Sequence, residues 1–326
     1  MNIGLQITKN EKKFRDLLKV LEDQIDHDGS YNFIHIKNEK SLYKLCSDLN
    51  ILVCYSLSKN IFDYKIDNLN WIHFGAAGIF NSLHDELLKS KIVVTNAKGI
   101  HATPVSEFVF GAMLYFSKRF DGCRSFMQKR EWNQWVLAKE MVQLSGKTIG
   151  VIGYGKIGKA IVKRAKSFGM KIIATRRLQK KNERRGSLEL IPTSEIEYLY
   201  KESDFIVVAC PLTHLTKGMI GLAEFGKMKN SSIIINIARG QIIKEEELIK
   251  ALSSNMIGGA FLDVFKKEPL DQDSKLFSLN NVMLSPHISG NFPEYQKDMI
   301  IQFASNLNKY HANKSFINRV CKKRLY

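Results

Sequence analysis

The chain has few cysteines, and they are not arranged for metal binding. Five cysteines stand at positions 46, 54, 123, 210 and 321, with no Cys-x-x-Cys pair and no His/Cys spacing of a zinc site. Such a sparse, odd-numbered set is typical of free thiols in a reducing compartment. The sequence therefore predicts no metal site and a cytoplasmic location.

Long apolar segments are also missing. No apolar run approaches the length of about 20 residues that a membrane-spanning helix needs. The first residues, MNIGLQITKN, begin with a strand-like pattern and lack the apolar core of a signal peptide. We therefore expect a protein without a membrane segment and without a secretion signal, while import into an organelle is left open.

Acidic residues are outnumbered by basic ones. The 32 Asp and Glu residues face 49 Lys and Arg residues, which gives a formal charge of +17. An excess of this size first suggests nucleic acid. The basic residues are scattered, however, and the densest runs, at 176–185 and 322–324, are short and lack interleaved aromatic residues. A solvated basic surface is the favoured interpretation, and no nucleic-acid partner is expected.

The length and the apolar pattern predict a two-domain α/β protein. A chain of 326 residues with 44% hydrophobic residues is long enough for two cores. Short apolar runs, for example residues 3–7 and 51–54, alternate with helical patterns such as residues 11–21. This alternation favours mostly parallel sheets with helices on both faces. Domain boundaries are expected near residues 102 and 290, where the chain returns to the first domain.

A glycine-rich βαβ unit at residues 148–177 is the strongest functional signal. The strand TIGVIG leads into GYGKIG, then into a helical pattern and a second apolar strand. Gly153 permits the tight turn, Gly155 lets the backbone approach a pyrophosphate, and Gly158 lets the helix pack on the strand. Lys156 and Ile157 open the helix, whose N-terminus attracts the pyrophosphate. This succession of strand, glycine-rich turn, helix and strand predicts a dinucleotide site.

Three polar residues follow apolar runs in the second half of the chain. Arg239 follows IIINIA, Glu268 follows AFLDVFKK and His287 follows VMLSP. Ligands of open α/β sheets bind at the carboxyl ends of strands, so we expect all three residues at the cofactor edge. An arginine can clamp a carboxylate, a histidine can exchange a proton near neutral pH, and a glutamate can orient that imidazole.

Residues 120–146 are unusually apolar for a connecting segment. They include Trp132, Trp135, Met127 and Met141, and they follow a helix that is predicted to begin at Thr103. Core packing and contact with a second subunit explain this composition equally well.

The motifs together resemble the NAD(P)-dependent D-2-hydroxyacid dehydrogenase family, in its glyoxylate/hydroxypyruvate reductase-like branch. The resemblance spans most of the chain and includes TNAKGIHATPVSEFVFG, LSGKTIGVIGYGKIG, SDFIVVACPLT, INIARGQIIKEEELIKAL, GGAFLDVFKKEPL and LSPHISG. It implies a flavodoxin-like substrate domain at 1–101 and 291–326 and a Rossmann-like dinucleotide domain at 102–290, with a cleft between them. It also implies a homodimer joined through residues 120–146.

The resemblance assigns roles by position. Arg239 is expected to bind the carboxylate of a 2-oxo acid, and His287 to act as acid/base with Glu268 as its partner. The loop GAAG at 75–78 resembles the loop that binds the substrate carboxylate through the N–H groups of Ala77 and Gly78. Further cofactor contacts are expected from other residues that match the family motifs: Cys210, Pro211, Thr216, Ala238, Asp263 and His287.

The sequence departs from the family pattern at three places. Phe80 stands where the substrate loop usually carries an acid or an amide, and ISGNFPEY replaces the usual small residues after the histidine, so that Phe292 or Tyr295 could shape the pocket. Arg176, followed by Arg177, stands where an Asp usually binds the ribose of NAD. NADP(H) is therefore the predicted cofactor, with NAD(H) as the alternative.

Two alternative functions are left open by the sequence. A dinucleotide-sensing corepressor-like protein shares this fold and these three residues, although no segment beyond enzyme length is visible to support it. A phosphite-oxidising enzyme also keeps the three residues, whereas a formate dehydrogenase has Gln in place of Glu268. Reduction of a small 2-oxo acid is the leading prediction.

Overall fold

The computed structural model describes residues 1–26, 31–132 and 134–322. Asn133 of the predicted subunit contact, residues 323–326 of the basic tail and the side chain of Phe80 lie outside the described residues. The chain divides into two compact units. One comprises Met1–Ile100 with the C-terminal segment from Phe292, and the other comprises His101–Asn291.

The first unit is built on a five-stranded parallel sheet of order β2-β1-β3-β4-β5. This is the flavodoxin-like strand order. Its strands are β1 (Asn2–Gln6), β2 (Asn32–His35), β3 (Ile51–Cys54), β4 (Trp71–Phe74) and β5 (Val93–Asn96). Its helices, numbered along the whole chain, are α1 (Glu11–Glu22), α2 (Glu39–Leu45), α3 (Asp85–Lys89) and α11 (Tyr295–His311).

Strand β3, in the middle of this sheet, is apolar and buried at every position because both faces of the sheet are covered. On β3, Leu52 and Cys54 belong to one core cluster, whereas Ile51 and Val53 belong to the other. Helix α11 contributes Phe303 to the second cluster, so the C-terminal segment completes the core of the first unit. Unbroken apolar strands are expected where helices pack on both sides of a parallel sheet.

His73 is fully buried in β4. Its Nδ1 lies 2.8 Å from the hydroxyl of Thr95, which also accepts a hydrogen bond from Trp71 Nε1. Its Nε2 has no partner within the described ranges. Burial lowers the pKa of His73 to about 3, so its imidazole is neutral in the folded protein at neutral pH.

We expect the free energy of unfolding to fall as the pH decreases below about 6.5, because the unfolded chain then binds a proton that folded His73 cannot. The loss continues towards the folded pKa, at about 1.4 kcal/mol per pH unit for one imidazole. Urea unfolding at about pH 7 and pH 5 would measure it. His73→Phe should flatten this dependence, whereas His311→Gln, on the exposed end of α11, should not. An equal pH dependence in all three proteins would contradict the assignment.

The second unit contains an eight-stranded sheet of order β13-β12-β11-β10-β6-β7-β9-β8. All pairs are parallel except β8 with β9. The strands are β6 (Thr148–Ile152), β7 (Lys171–Thr175), β8 (Glu183–Arg185), β9 (Leu188–Ile191), β10 (Phe205–Val208), β11 (Ile233–Asn236), β12 (Gly259–Leu262) and β13 (Val282–Leu284). The helices are α4 (Ala102–Ser117), α5 (Phe120–Lys129), α6 (Gln134–Glu140), α7 (Lys156–Ser167), α8 (Ile196–Glu202), α9 (Leu222–Phe225) and α10 (Glu245–Ser253).

The run from β9 through β12 has the strand order of a Rossmann-like dinucleotide-binding sheet. The chain first winds outward from β6 to β9 and then restarts at β10 on the other side of β6. The reversal between β6 and β10 opens a crevice at the carboxyl ends of these strands, where such sheets bind their ligands. The β8–β9 hairpin at the sheet edge was not predicted from the sequence.

Helices α5 and α6 contain no buried residue. Their segment exposes large apolar side chains, including Met127 (66%), Trp132 (79%) and Trp135 (73%). Core packing therefore does not explain its composition. Within the described ranges, no helix has the length and apolar character to cross a bilayer, and no cluster of three or more His, Cys, Asp or Glu side chains is placed to hold a metal ion.

Candidate active site

The turn after β6 shows why each motif position is glycine. Gly153 has φ +110°, and a Cβ there would lie 2.8 Å from the backbone N of Cys210. At Gly158 a Cβ would lie 2.2 Å from the carbonyl O of Gly153, so only glycine lets α7 start this close to the strand. Gly155, in contrast, has nothing within 4 Å of an added Cβ. The open side of the turn at Gly155 is thus the place where a pyrophosphate fits.

The N-terminus of α7 suits an anion. No side chain caps this end, and its first turn carries no acidic residue. Lys156 and Ile157 are its first two residues, and the leading N–H groups of a helix have no intrahelical partner. Their partial positive charge favours phosphate oxygens. The turn and the helix end together fit a dinucleotide.

The end of β7 carries arginines where an acid would bind ribose. Thr175 is buried, and its hydroxyl accepts a hydrogen bond from Gly153 N–H at 3.2 Å, which joins this end to the glycine turn. Arg176 and Arg177 follow it with exposed side chains. The two arginines thus directly follow the residue whose hydroxyl and carbonyl bond the glycine turn.

The segment after β10 forms a self-contained turn. The hydroxyl of Thr216 donates to the carbonyl of Pro211 at 2.7 Å and accepts from Thr213 N–H at 2.8 Å. Burial raises the pKa of the Cys210 thiol to about 12, so the thiol stays protonated and is not a nucleophile. The buried Cys210 thiol therefore supplies no reactive group, and the hydrogen bonds of Thr216 fix the turn.

His287 and Glu268 form a direct pair. The Nδ1 atom of His287 lies 2.7 Å from Glu268 Oε2, while Glu268 Oε1 accepts a hydrogen bond from Phe265 N–H at 3.0 Å. Partial burial raises the pKa of the Glu268 carboxyl, but the hydrogen bonds from His287 and Phe265 outweigh it, so that the pKa lies below its ordinary value. An ionised carboxylate on Nδ1 orients the ring and directs Nε2 away from Glu268.

The backbone of His287 is held by a buried carboxylate. Asp263, fully buried after β12, accepts hydrogen bonds from Ser285 Oγ at 2.7 Å, Ile288 N–H at 2.8 Å and Ser289 N–H at 3.0 Å. His287 itself has φ +53°, a conformation that a side chain rarely adopts without such support. The carboxylate that the sequence suggested for cofactor contact thus fixes the segment that carries His287.

Arg239 stands in a turn that two neighbouring residues shape. The buried Asn236 side chain accepts from Ala238 N–H at 3.1 Å and donates to Arg239 O at 3.0 Å. At Gly240 a Cβ would lie 1.9 Å from the backbone of Phe265, which precedes Glu268 by three residues. This close approach brings the Arg239 turn against the Glu268 loop, and the exposed guanidinium stays accessible.

The sequence reasoning did not identify Asn236, Gly240 or His101. His101, which precedes α4, places Nδ1 at 2.9 Å from Gly290 O and thereby supports the far end of the His287 segment. Desolvation lowers the pKa of His101, and the positive charge of Arg239 lowers it further. The sequence did contain one signal for the hydrogen bonds that hold the Arg239 turn. Asn236 is a polar residue at the end of a buried strand.

The predicted carboxylate loop, residues 75–78, follows β4 in the first unit. The Asn96 side chain donates to the carbonyl of Ala77 at 3.0 Å. In the part of the chain that the structure describes, the N–H groups of Ala77 and Gly78 donate to no protein acceptor. Gly78 is exposed and Ala77 is partly exposed, so an anion can approach both groups. Successive free N–H groups of this kind form an anion-binding concavity.

Comparison with known protein families agrees with this geometry. The model described as "D-isomer specific 2-hydroxyacid dehydrogenase, NAD binding domain" matches residues 110–289, which is more than half of the chain. The chain belongs to this family. The predicted family of NAD(P)-dependent oxidoreductases is therefore confirmed, and a nicotinamide dinucleotide is the class of cofactor that its members' NAD binding domain takes.

Curated relatives and a solved structure support the family assignment. The chain is 41% identical over 219 residues to a glyoxylate reductase of Thermococcus gammatolerans, a match that spans 65% of this chain and 64%, just under two thirds, of that enzyme. It is 34% identical over 302 residues to the glyoxylate reductase of Pyrococcus furiosus, covering 89% and 87% of the two chains. A D-isomer specific 2-hydroxyacid dehydrogenase family protein from Aeromonas salmonicida has a TM-score of 0.83 at 26% identity, covering 98% of this chain and 99% of that one. The predicted α/β fold is confirmed.

Proposed function

We propose that the protein reduces small 2-oxo acids to D-2-hydroxy acids with a nicotinamide dinucleotide, and that glyoxylate and hydroxypyruvate are its substrates. The observation that carries the proposal is the hydrogen-bonded pair of His287 and Glu268, with the Arg239 turn packed against the Glu268 loop. A proton donor and a carboxylate-binding guanidinium are the two groups that reduction of a 2-oxo acid requires. The relatives named glyoxylate reductase favour the smallest such acids.

The residues divide the reaction between them. A reduced nicotinamide held in the second unit would supply the hydride that C2 of the acid receives. Protonated His287 donates a proton from Nε2 to the carbonyl oxygen, and Glu268 holds the ring through Nδ1. Arg239 binds the carboxylate and offsets the negative charge that develops on the oxygen. We further propose that the N–H groups of Ala77 and Gly78 are substrate-binding groups, because they can donate hydrogen bonds to a carboxylate.

The cofactor is proposed to be NADPH, held in the second unit, residues 101–291. The turn of Gly153, Gly155 and Gly158 would receive the pyrophosphate. Arg176 and Arg177, placed after β7, would contact the 2′-phosphate. We assign substrate binding to the first unit and dinucleotide binding to the second. The remaining residues stay proposed cofactor contacts: Cys210, Pro211, Thr216, Ala238, Asp263 and His287.

A panel of 2-oxo acids with NADPH and with NADH tests the proposed function. Oxidation of the dinucleotide should be fast with glyoxylate or hydroxypyruvate and slower with larger acids. A corepressor-like protein would bind the dinucleotide tightly and turn over none of the acids. Absence of turnover with the whole panel, in protein that binds NADPH, would therefore overturn the proposal in favour of that alternative.

Glu268→Gln should shift the pH dependence of reduction. Reduction needs the protonated imidazole, so its rate falls as the pH rises. The negative charge of Glu268 stabilises the protonated proton donor, so its removal should move this fall to lower pH. The profile of kcat/KM against pH measures the shift, and Glu246→Gln, an exposed glutamate paired with Lys266, is the control. An unmoved profile in Glu268→Gln would exclude Glu268 as the partner of His287.

We propose that two copies of the chain associate through residues 120–146. Helices α5 and α6 expose aromatic side chains to solvent. Exposed apolar patches of this kind mark sites of protein–protein contact. Light scattering should give the mass of a dimer, and Trp135→Glu should give a monomer. Phe277→Glu, which changes an exposed aromatic residue outside this segment, should stay dimeric. A monomeric wild type would contradict the proposal.

We also propose a cytoplasmic location. All five cysteines carry free thiols, as expected for a reducing compartment. Fractionation of cells that make the protein tests this, and recovery outside the cytoplasmic fraction would contradict it.

A further inference from the structure

Tyr295 contacts the carboxylate loop from a distant part of the chain. It is the first residue of α11, and its hydroxyl donates a hydrogen bond to the carbonyl of Gly75, 220 positions earlier. Gly75 opens the loop at residues 75–78 and is buried. Its other side is closed by an aromatic ring, because a Cβ at Gly75 would lie 3.0 Å from the ring of Tyr55. Gly75, the first residue of the loop, is thus held by a hydrogen bond to its carbonyl and by the ring of Tyr55 on its other side.

The hydroxyl of Tyr295 is itself well fixed. Its ring packs edge-to-face on Phe292, with centroids 5.8 Å apart. The next residue, Gln296, donates from Nε2 to Ile7 O at 2.9 Å and to the hydroxyl of Tyr55 at 3.0 Å. Burial raises the pKa of Tyr295, so its hydroxyl remains a proton donor at neutral pH. The start of α11 is therefore a rigid anchor for the loop.

These contacts hold two carbonyl groups of the loop in place. Tyr295 holds the carbonyl of Gly75 and Asn96 holds the carbonyl of Ala77. The N–H groups of Ala77 and Gly78 have no acceptor among the described residues, so they can receive an anion. A loop with bound carbonyls and available N–H groups is preorganised for a carboxylate.

We infer that Tyr295 is a positioning residue for substrate binding, which holds the loop at residues 75–78 in the conformation that receives the carboxylate of the 2-oxo acid. The inference rests on the proposed function. Tyr295 acts through its hydrogen bond to the carbonyl of Gly75, in the loop itself. Its loss should therefore change acid binding more than cofactor binding or proton transfer.

Tyr295→Phe removes the hydroxyl and keeps the ring. The carbonyl of Gly75 then lacks its partner, and the loop must be ordered by the substrate itself. We expect KM for glyoxylate to rise about tenfold, equivalent to about 1.4 kcal/mol. KM for NADPH should stay unchanged, and kcat should change less than KM for the acid. Tyr43→Phe, which removes a hydroxyl that bonds Glu39 on the surface of the same unit, should match the wild type.

Steady-state kinetics and melting temperatures of the wild type, Tyr295→Phe and Tyr43→Phe test the inference. An unchanged KM for glyoxylate in Tyr295→Phe would overturn the inference. So would parallel changes in both KM values and kcat together with a lower melting temperature, because these would indicate a general structural role.

Calorimetric binding of oxalate to the protein loaded with NADP separates this inference from the proposed function. Oxalate carries the carboxylate and cannot be reduced. Weaker oxalate binding in Tyr295→Phe would support the inference even if the wild type reduced no 2-oxo acid, a result that would overturn the proposed function alone. Equal oxalate binding in wild type and variant would overturn the inference alone, and failure of the wild type to bind oxalate would overturn both.

Discussion

Replacement of His287 by Ala is expected to lower kcat for 2-oxo acid reduction by about a hundredfold or more, with a small effect on KM. The variant lacks the group that donates a proton to the carbonyl oxygen. Glu268 then loses the ring that it binds at 2.7 Å, but the backbone of this segment keeps its hydrogen bonds to Asp263. The protein should therefore stay folded, which circular dichroism and the melting temperature can verify.

Replacement of Arg239 by Ala should differ in kind from the loss of His287. It removes the guanidinium that binds the carboxylate, so KM should rise strongly while kcat also falls. The turn itself should persist because Asn236 holds its backbone. Arg239→Lys keeps the charge and loses the planar fork, so it should lie between wild type and Arg239→Ala. Near-wild-type turnover in either alanine variant would remove that residue from the mechanism.

A preference of about tenfold to a hundredfold for NADPH over NADH in kcat/KM is the second large effect that we expect. One hydrogen bond to a charged group contributes about 1.5–3 kcal/mol, which corresponds to that ratio. Arg176 follows the buried Thr175 and occupies the place of the acid that would bind the ribose of NAD. The exposed side chain of Arg177 adds a second positive charge for the 2′-phosphate.

The double change Arg176→Asp with Arg177→Ala should reverse the preference, because it removes both charges and supplies an acceptor for the ribose hydroxyls. Arg15→Ala, an exposed arginine on α1, should leave the ratio unchanged. Added salt should weaken the preference in the wild type, since both arginines are exposed. Equal or better use of NADH by the wild type would contradict the assignment whatever the variant does.

Local patterns predicted much of the fold. The helix expected at 11–21 is α1, because Phe14, Leu17 and Leu21 form one buried face and Asn10 caps its start. The apolar strands predicted at residues 3–7 and 51–54 are β1 and β3, each within about one residue of its predicted ends. Such runs are apolar because helices cover both faces of the sheet. The β8–β9 hairpin escaped prediction because its first strand, Glu183–Arg185, is short, charged and largely exposed, and carries no apolar signal.

The candidate site shows where such local reasoning ends. Gly153, Gly155 and Gly158 form one turn, so their spacing alone indicated their roles. The Arg239 turn lies against the Glu268 loop through the approach of Gly240 to Phe265, and the loop at residues 75–78 is bonded by Tyr295 from a distant part of the chain. Contacts between residues so distant in sequence leave no periodic pattern. Asp263 illustrates the same limit, because only the structure shows its carboxylate bound to the His287 segment.

The most direct test of the proposed function is the product formed from hydroxypyruvate. Wild-type protein supplied with hydroxypyruvate and NADPH should yield one D-glycerate for each NADPH oxidised, measured by chiral chromatography against the loss of absorbance. His287→Ala in the same assay should yield about a hundredfold less in equal time. Formation of L-glycerate, or oxidation of NADPH without any glycerate, would contradict the proposed reduction of a 2-oxo acid to its D-2-hydroxy acid.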